Sequence, residues 1–430
     1  MMFSRKFVSR ATCAAACSWA LFFGATAVAQ SAASAASAAT QNASAAASAP
    51  VAQTTAPTVA LPAVPDLAAR GYLLIDVTAG NQVLAAKEMD TPMEPASLTK
   101  LMTAYVVFDA LKKGQITLEQ TLPVSEKAWK MPGSRMFIDT RMQVPVEDLI
   151  KGMIVQSGND ATMALAEGIA GSEEAFVQRM NDTAKALGMT RTGYRNPEGL
   201  TAEGHVTTAR DMAILATRLM ADFPDRVAYY AIKQYAYPGT PSANGNNRNL
   251  LLFRDPTVDG LKTGHTDAAG YNLIATAKRV FPNMPQGRRL LAIVFGTASE
   301  TARANETQKL LNWGYTAYEG VQLFAPGQAA VQARLWKGTS DSVGLGRPEG
   351  VAVAVPAGMA QQVTSQVERP DPLVAPVIQG QQVGTLKVLL GGQVLSQMPL
   401  TVLQSVEQAG FFGRLWDSIL LLFQGSNNAK

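Results

Sequence analysis

The ordered pattern of the chain begins near Leu67. Two short apolar runs, Gly71 to Asp76 and Gln82 to Ala86, flank Ala79-Gly80-Asn81 and predict a β-hairpin. Apolar residues then recur at helical spacing. Leu98, Leu101, Met102, Tyr105 and Val106 form one stripe of a helix over Leu98 to Leu111, with Gly114 just past its end. Further helices are expected over Val146 to Val155, Asp160 to Ile169 (ended by Gly171) and Glu173 to Leu187 (stopped by Gly188). Thr208-Ala209-Arg210-Asp211 reads as a capping box opening a fifth. Strands follow at Gly260 to Thr263, Tyr271 to Lys278 and Arg289 to Phe295, and a helix at Thr301 to Tyr318. Strands, several helices, strands and a helix predict an α+β domain over 67–320. Its first and last strands would share one antiparallel sheet, with helices covering the faces.

Helical signals vanish after Gly320. Val-rich runs at Gly350 to Val355, Val383 to Leu390 and Val394 to Val402 alternate with Gly and Pro, and predict a small all-β domain over 321–408. A terminal helix over 409–425 gathers Phe411, Phe412, Leu415, Trp416, Ile419, Leu422 and Phe423 on one face, with Arg414, Asp417 and Ser418 on the other. It is too short to span a bilayer and fits an amphipathic helix lying on a membrane surface.

The N-terminus carries a different pattern. Arg5, Lys6 and Arg10 precede the small apolar run Ala11 to Val28, and Ala27-Val28-Ala29 is a cleavage signature. Residues 1–29 are expected to be a signal peptide, with Gln30 first in the exported chain. Residues 30–66, rich in Ala, Ser, Thr and Pro, read as a flexible linker.

Composition narrows the chemistry. Cys13 and Cys17 both fall in the signal segment, and His205 and His265 are the only histidines. No cysteine nucleophile, disulfide framework or structural zinc site is expected, and no cofactor or metal is called for. A net charge of +4 and the lack of a basic, aromatic-rich cluster give no support to nucleic acid as a partner. A serine enzyme without an obvious histidine base needs another, and a lysine of lowered pKa can serve.

Three motifs supply that chemistry. In Ser97-Leu98-Thr99-Lys100 the hydroxyl and the amine stand at i and i+3, so Lys100 reaches Ser97 Oγ. Ser157-Gly158-Asn159 breaks a helical stretch. Ser157 offers a proton path toward a leaving nitrogen, Gly158 permits close backbone approach, and Asn159 offers an amide for substrate. Lys262-Thr263-Gly264 lies at a strand end, where an extended peptide can pair. Lys262 and Thr263 can receive a carboxylate, Gly264 gives room to an acyl group, and the N–H groups of Ser97 and His265 are expected to form an oxyanion hole.

These motifs, with Pro95-Ala96 before the first, Asp160-Ala161 after the second, and His265-Thr266 through Gly270-Tyr271-Asn272-Leu273 after the third, resemble the low-molecular-mass penicillin-binding proteins of the D-alanyl-D-alanine carboxypeptidase group. The likeness covers about Leu67 to Phe423. It implies a β-lactamase/transpeptidase-like three-layer fold, Ser97 as acyl-ester nucleophile, Lys100 as proton acceptor, Ser157 as proton shuttle and Lys262 as substrate-binding. Ala302-Arg303-Ala304-Asn305-Glu306 resembles the segment whose arginine holds the substrate's terminal carboxylate. The implied partners are peptidoglycan stems ending in D-Ala-D-Ala, β-lactam antibiotics and, through the last helix, the periplasmic face of the inner membrane. A serine β-lactamase would share the acylation step. Its E-x-x-L-N element has no match in Asn196-Pro197-Glu198-Gly199-Leu200-Thr201, where Glu198 is the one acid. Endopeptidase action on wall crosslinks and a non-catalytic wall-binding role are the other readings.

Overall fold

The computed structural model describes residues 61–425. The expected signal peptide, and all of the linker except 61–66, lie outside the described residues.

The hairpin forms as β1 (Gly71–Asp76) and β2 (Gln82–Lys87). Lys100–Lys112 is α1, entered through a 3₁₀ turn at Ala96–Thr99 rather than by a helix starting at Leu98. A small excursion follows, in which β3 (Thr121–Pro123) pairs antiparallel with β4 (Gln143–Pro145) around the short α2 (Glu126–Trp129). Then come α3 (Val146–Val155), α4 (Asn159–Ala170), α5 (Glu173–Leu187) and α6 (Ala209–Asp222), a short α7 (Leu251–Arg254), strands β5 (Val258–Thr266), β6 (Gly270–Phe281) and β7 (Met284–Thr297), and α8 (Glu300–Ala317).

Local chemistry fixes the helix ends. Ser172 and Ser299 accept the N–H groups of Ala175 and Ala302, and Gly171 and Gly188 take left-handed conformations past the ends of α4 and α5. Thr208 caps α6 by accepting from Asp211 N, but the reciprocal half of the expected capping box does not form. The Asp211 carboxylate turns away to accept from Arg191 N and Thr192 Oγ1.

The first and last strands share one antiparallel sheet in the order β2-β1-β7-β6-β5. Alternate residues point to opposite faces, so each strand feeds two cores. Leu73, Ile75, Leu291 and Ile293 join the helices α1 and α3 to α6 on one side. Tyr72, Leu74, Leu290 and Ala292 pack against Leu310, Leu311 and Tyr315 of α8 on the other. Three layers result, with β5 at an open edge.

The chain leaves α8 at Ala317, one residue short of the expected end. Tyr318 opens β8 (Tyr318–Phe324), and its carbonyl accepts from the buried Arg288, which also pairs with Asp76 at 2.5 Å. Strand β8 pairs with β11 (Val351–Pro356). A six-stranded sheet is built from β9 (Ala329–Trp336), β10 (Ser342–Gly346), β12 (Val363–Glu368), β13 (Leu373–Val374), β14 (Gln382–Leu390) and β15 (Gln393–Val402). Its core is small and branched, with Val343, Leu345, Val355, Leu386 and Leu400 among its members. The Gln82 side chain bonds both the N–H and the carbonyl of Ala354, tying this domain to the hairpin.

The last helix, α9 (Phe411–Gly425), follows directly. Asp417 accepts from Lys337 N, while Phe411, Phe412, Leu415 and Trp416 are each at least half exposed. No described helix is long and apolar enough to cross a membrane.

Candidate active site

The three motifs meet in one cleft of about 290 Å³, lined by Ser97, Ser157, Asn159, Thr263, Gly264, His265 and Arg303. The 3₁₀ turn explains how the first motif brings its two side chains together. Side chains three residues apart eclipse one another in this geometry, so Lys100 lies directly behind Ser97. Its Nζ donates to Ser97 Oγ at 3.1 Å, Asn159 Oδ1 at 2.7 Å and the Glu198 carbonyl at 2.7 Å. The amine is 1% exposed. Burial therefore lowers its pKa, Glu198 and Asp160 oppose that shift, and Arg248 adds to it.

Lys262, also buried, donates to Ser157 Oγ and to Thr263 O, both at 3.0 Å. Its pKa is pushed well below the ordinary lysine value, first by burial, then by Lys100, Arg248 and Arg303. Lys100 and Lys262 thus stand in one positive, poorly solvated region that favours neutral amines.

Some residues stand differently from expectation. Asn159 is engaged at both ends, accepting from Lys100 and donating one N–H to Pro132 O at 2.6 Å, so its amide oxygen orients the lysine. The Ser157 hydroxyl is held by Lys262, not by Lys100. Ser157 rather than Gly158 takes the left-handed conformation between α3 and α4, at φ 56°. A Cβ on Gly264 would sit 2.8 Å from Pro95 O and 3.2 Å from Ser97 N. That glycine lets strand β5 press against the turn that carries Ser97. His265 stacks on Tyr271 with ring centroids 3.9 Å apart.

Arg303 is buried in the cleft wall. It donates to Glu300 Oε1 and to Arg248 O, lies over the Tyr271 ring, and has its pKa lowered to about 10, chiefly by burial. Arg248 lines the same cleft and escaped the sequence reading, because it sits in an irregular segment with no motif. In the sequence Asp160 reads as the start of a helix and as part of the resemblance, with no role of its own. Its buried carboxylate accepts the N–H groups of Met136, Phe137 and Ile138, at 2.8, 2.7 and 3.3 Å, and so fastens the segment beside Ser134 to the start of α4.

A family model described as D-alanyl-D-alanine carboxypeptidase matches residues 57–299, more than half of the chain. The chain belongs to the D-alanyl-D-alanine carboxypeptidase family. A second model, described as penicillin-binding protein 5, C-terminal domain, matches 318–408, the all-β part. Among the carboxypeptidases, DacC of Escherichia coli strain K12 is 41% identical over 367 residues, covering 84% of this chain and 89% of the relative. DacA of the same strain is 38% identical, covering 84% and 90%. The crystal structure of penicillin-binding protein 5 from Haemophilus influenzae superposes with a TM-score of 0.74 at 35% identity, over 81% of this chain and 100% of that one. Penicillin-binding protein D2 from Listeria monocytogenes, solved in an ampicillin-bound form, superposes with a TM-score of 0.52 at 28% identity, over 58% of this chain and 98% of that one.

Proposed function

We propose that the protein is an exported serine carboxypeptidase that removes the terminal D-alanine from peptidoglycan stems ending in D-Ala-D-Ala. The observation that carries the mechanism is Lys100 Nζ, buried and 3.1 Å from Ser97 Oγ. As the neutral amine, Lys100 accepts the Oγ proton while Oγ bonds to the penultimate carbonyl carbon. The oxyanion meets the N–H groups of Ser97 and His265. The C–N bond then breaks, and the departing D-alanine nitrogen takes a proton through Ser157, whose hydroxyl Lys262 holds. Thr263, Arg303 and Arg248 receive the substrate's terminal carboxylate. Water cleaves the Ser97 ester and returns the enzyme. A penicillin follows the same first half. Among the described residues that line the cleft there is no glutamate to activate water, so the adduct is expected to persist, which would separate this reading from a β-lactamase.

The chain is proposed to act at the periplasmic face of the inner membrane. Residues 1–29 direct export, 30–66 form a tether, and α9 attaches peripherally through its exposed apolar face. Its proposed domains are catalytic over 67–320 and all-β over 321–408.

The test is D-alanine release from a diacyl-D-Ala-D-Ala peptide, together with covalent labelling by a tagged penicillin. Ser97→Ala is expected to abolish both, and labelling retained at another residue overturns the assignment. Lys100→Ala is expected to slow acylation by about 10³-fold, within the range of a lost general base.

A further inference from the structure

We propose that Asn244 is a positioning residue for substrate binding, its neutral amide aiming the Arg248 guanidinium along the cleft while fixing the peptide unit that leads into Ser157. The proposal rests on the reading of Arg248 as a receiver of the substrate's terminal carboxylate.

Asn244 ends a short 3₁₀ turn, Ser242–Asn244, outside all three motifs. Its side chain reaches three separate parts of the site. Nδ2 donates to Arg135 O at 3.0 Å and to Gln156 O at 2.9 Å, and Oδ1 accepts from Arg248 Nη2 at 2.9 Å. These partners fix which way the amide faces. Two carbonyls can only accept and a guanidinium can only donate, so the nitrogen and oxygen cannot exchange places. Gln156 O belongs to the peptide unit that enters Ser157, the residue held at φ 56°. Arg135 O belongs to the unit that ends in Met136 N, which Asp160 accepts. One amide therefore joins the cleft-wall segment, the junction between α3 and α4, and Arg248.

Arg248 needs such a guide. Its side chain is exposed along the cleft. Among the described residues, Asn244 Oδ1 is the one hydrogen-bond acceptor its guanidinium meets, and no carboxylate lies within ion-pair distance of it. Glu300 pairs with Arg303 instead, at 2.6 Å. The backbone around Arg248 is already tied down. Arg303 donates to Arg248 O at 3.1 Å, Asn247 N to Lys233 O at 2.8 Å, and Asn249 Nδ2 to Gly260 O at 3.1 Å. What remains free is the long side chain, whose rotamers are lost when it binds. A carboxylate in place of Asn244 would also aim it, but would cancel the charge that the substrate's carboxylate needs. An amide oxygen takes one donor and leaves the charge and the other donors of the fork for the substrate.

The test compares kcat/KM for a diacyl-D-Ala-D-Ala peptide with that for the same peptide as its C-terminal amide. The ratio of the two reads recognition of the carboxylate. Asn244→Ala is expected to lower the ratio about tenfold, the size of a lost hydrogen bond to a charged group. Asn244→Asp is expected to lower it further, because the new anion pairs with Arg248. A merely structural role slows both peptides together and places the aspartate variant, which keeps the accepting oxygen, no lower than the alanine one. In an Arg248→Ala background, Asn244→Ala is expected to lower the ratio no further. Asn244→Ser, which keeps a hydroxyl, gives a smaller step in the same direction should the alanine variant fail to fold. Variants with native circular dichroism and an unchanged ratio overturn the proposal. Failure of the underlying reading looks different: Arg248→Ala itself would then leave the ratio at the wild-type value. If Arg248→Ala lowers the ratio and the Asn244 variants do not, the role of Asn244 alone falls.

Discussion

Gly264 shows how tightly the nucleophile is held at the scale of single residues. The strand passes Ser97 at a separation that leaves no room for a methyl group, with Pro95 O at 2.8 Å from the added carbon. Gly264→Ala is expected to displace the strand from the turn and slow penicillin acylation by about 10²-fold, the effect of a misplacement near 1 Å. Stopped-flow acylation beside a thermal melt checks it, since the melt should move much less than the rate. His205 provides a pH signature of its own. It is buried, donates or accepts only with Thr99 and Arg195 N, and its pKa is lowered to about 4, mainly by burial. In the unfolded chain the ring takes a proton near its ordinary value of about 6.5, which the folded state refuses. Stability is therefore full above that value and declines as pH falls toward 4. A series of Tm measurements across this window should show the decline, and His205→Asn should flatten it. An unchanged slope would show that other groups carry the acid sensitivity.

At the scale of elements, the junction between α3 and α4 organises the cleft. Ser157 takes its left-handed conformation there, Asn159 orients Lys100, and Asp160 gathers three successive N–H groups of the segment 136–138. Asp160→Ala would strand those buried donors, at a cost of about 3 kcal/mol. Urea unfolding measures that loss, and acylation should slow because Gly133 and Ser134 of the same segment line the cleft. A stability change below about 0.5 kcal/mol, the size of an ordinary surface substitution, would show that the segment stands without this anchor. The elements also show what local pattern can and cannot tell. Helices α3 and α5 run over the residues that their apolar spacing marks, because a helix's face is written in its own sequence, and for α5 the Ser172 cap and Gly188 flank it directly. The strands β9, β10 and β12 left no comparable trace. Their burial alternates irregularly, and their partners lie elsewhere in the sheet. Asp211 marks the same limit, since a side chain chosen by a local motif was claimed by Arg191 and Thr192 instead.

At the scale of the whole molecule, the catalytic motifs, the all-β part and α9 follow one another along the chain, and the exposed aromatic face of α9 belongs to none of the described cores. Burying its large apolar side chains in a membrane interface is worth at most about 1.5–3 kcal/mol each. Deleting 410–430 is expected to release the mature protein from membranes while leaving peptide hydrolysis intact. Fractionation and the D-alanine assay check the two halves: retention on the membrane removes α9 as the anchor, and lost activity in solution makes it part of the folded core. What the sequence determined by itself was the three motifs and their order. Ser97 and Lys100 are tied by one turn of chain, and the apolar period of each helix is written in contiguous residues. The tertiary structure alone decided which groups surround that lysine. The charges of Arg248, Asp160 and Glu198 act on it from three separate segments, and no local pattern records the burial that lowers its pKa. Proton affinity depends on desolvation and on charges brought close through space, both of which exist only once the chain has folded.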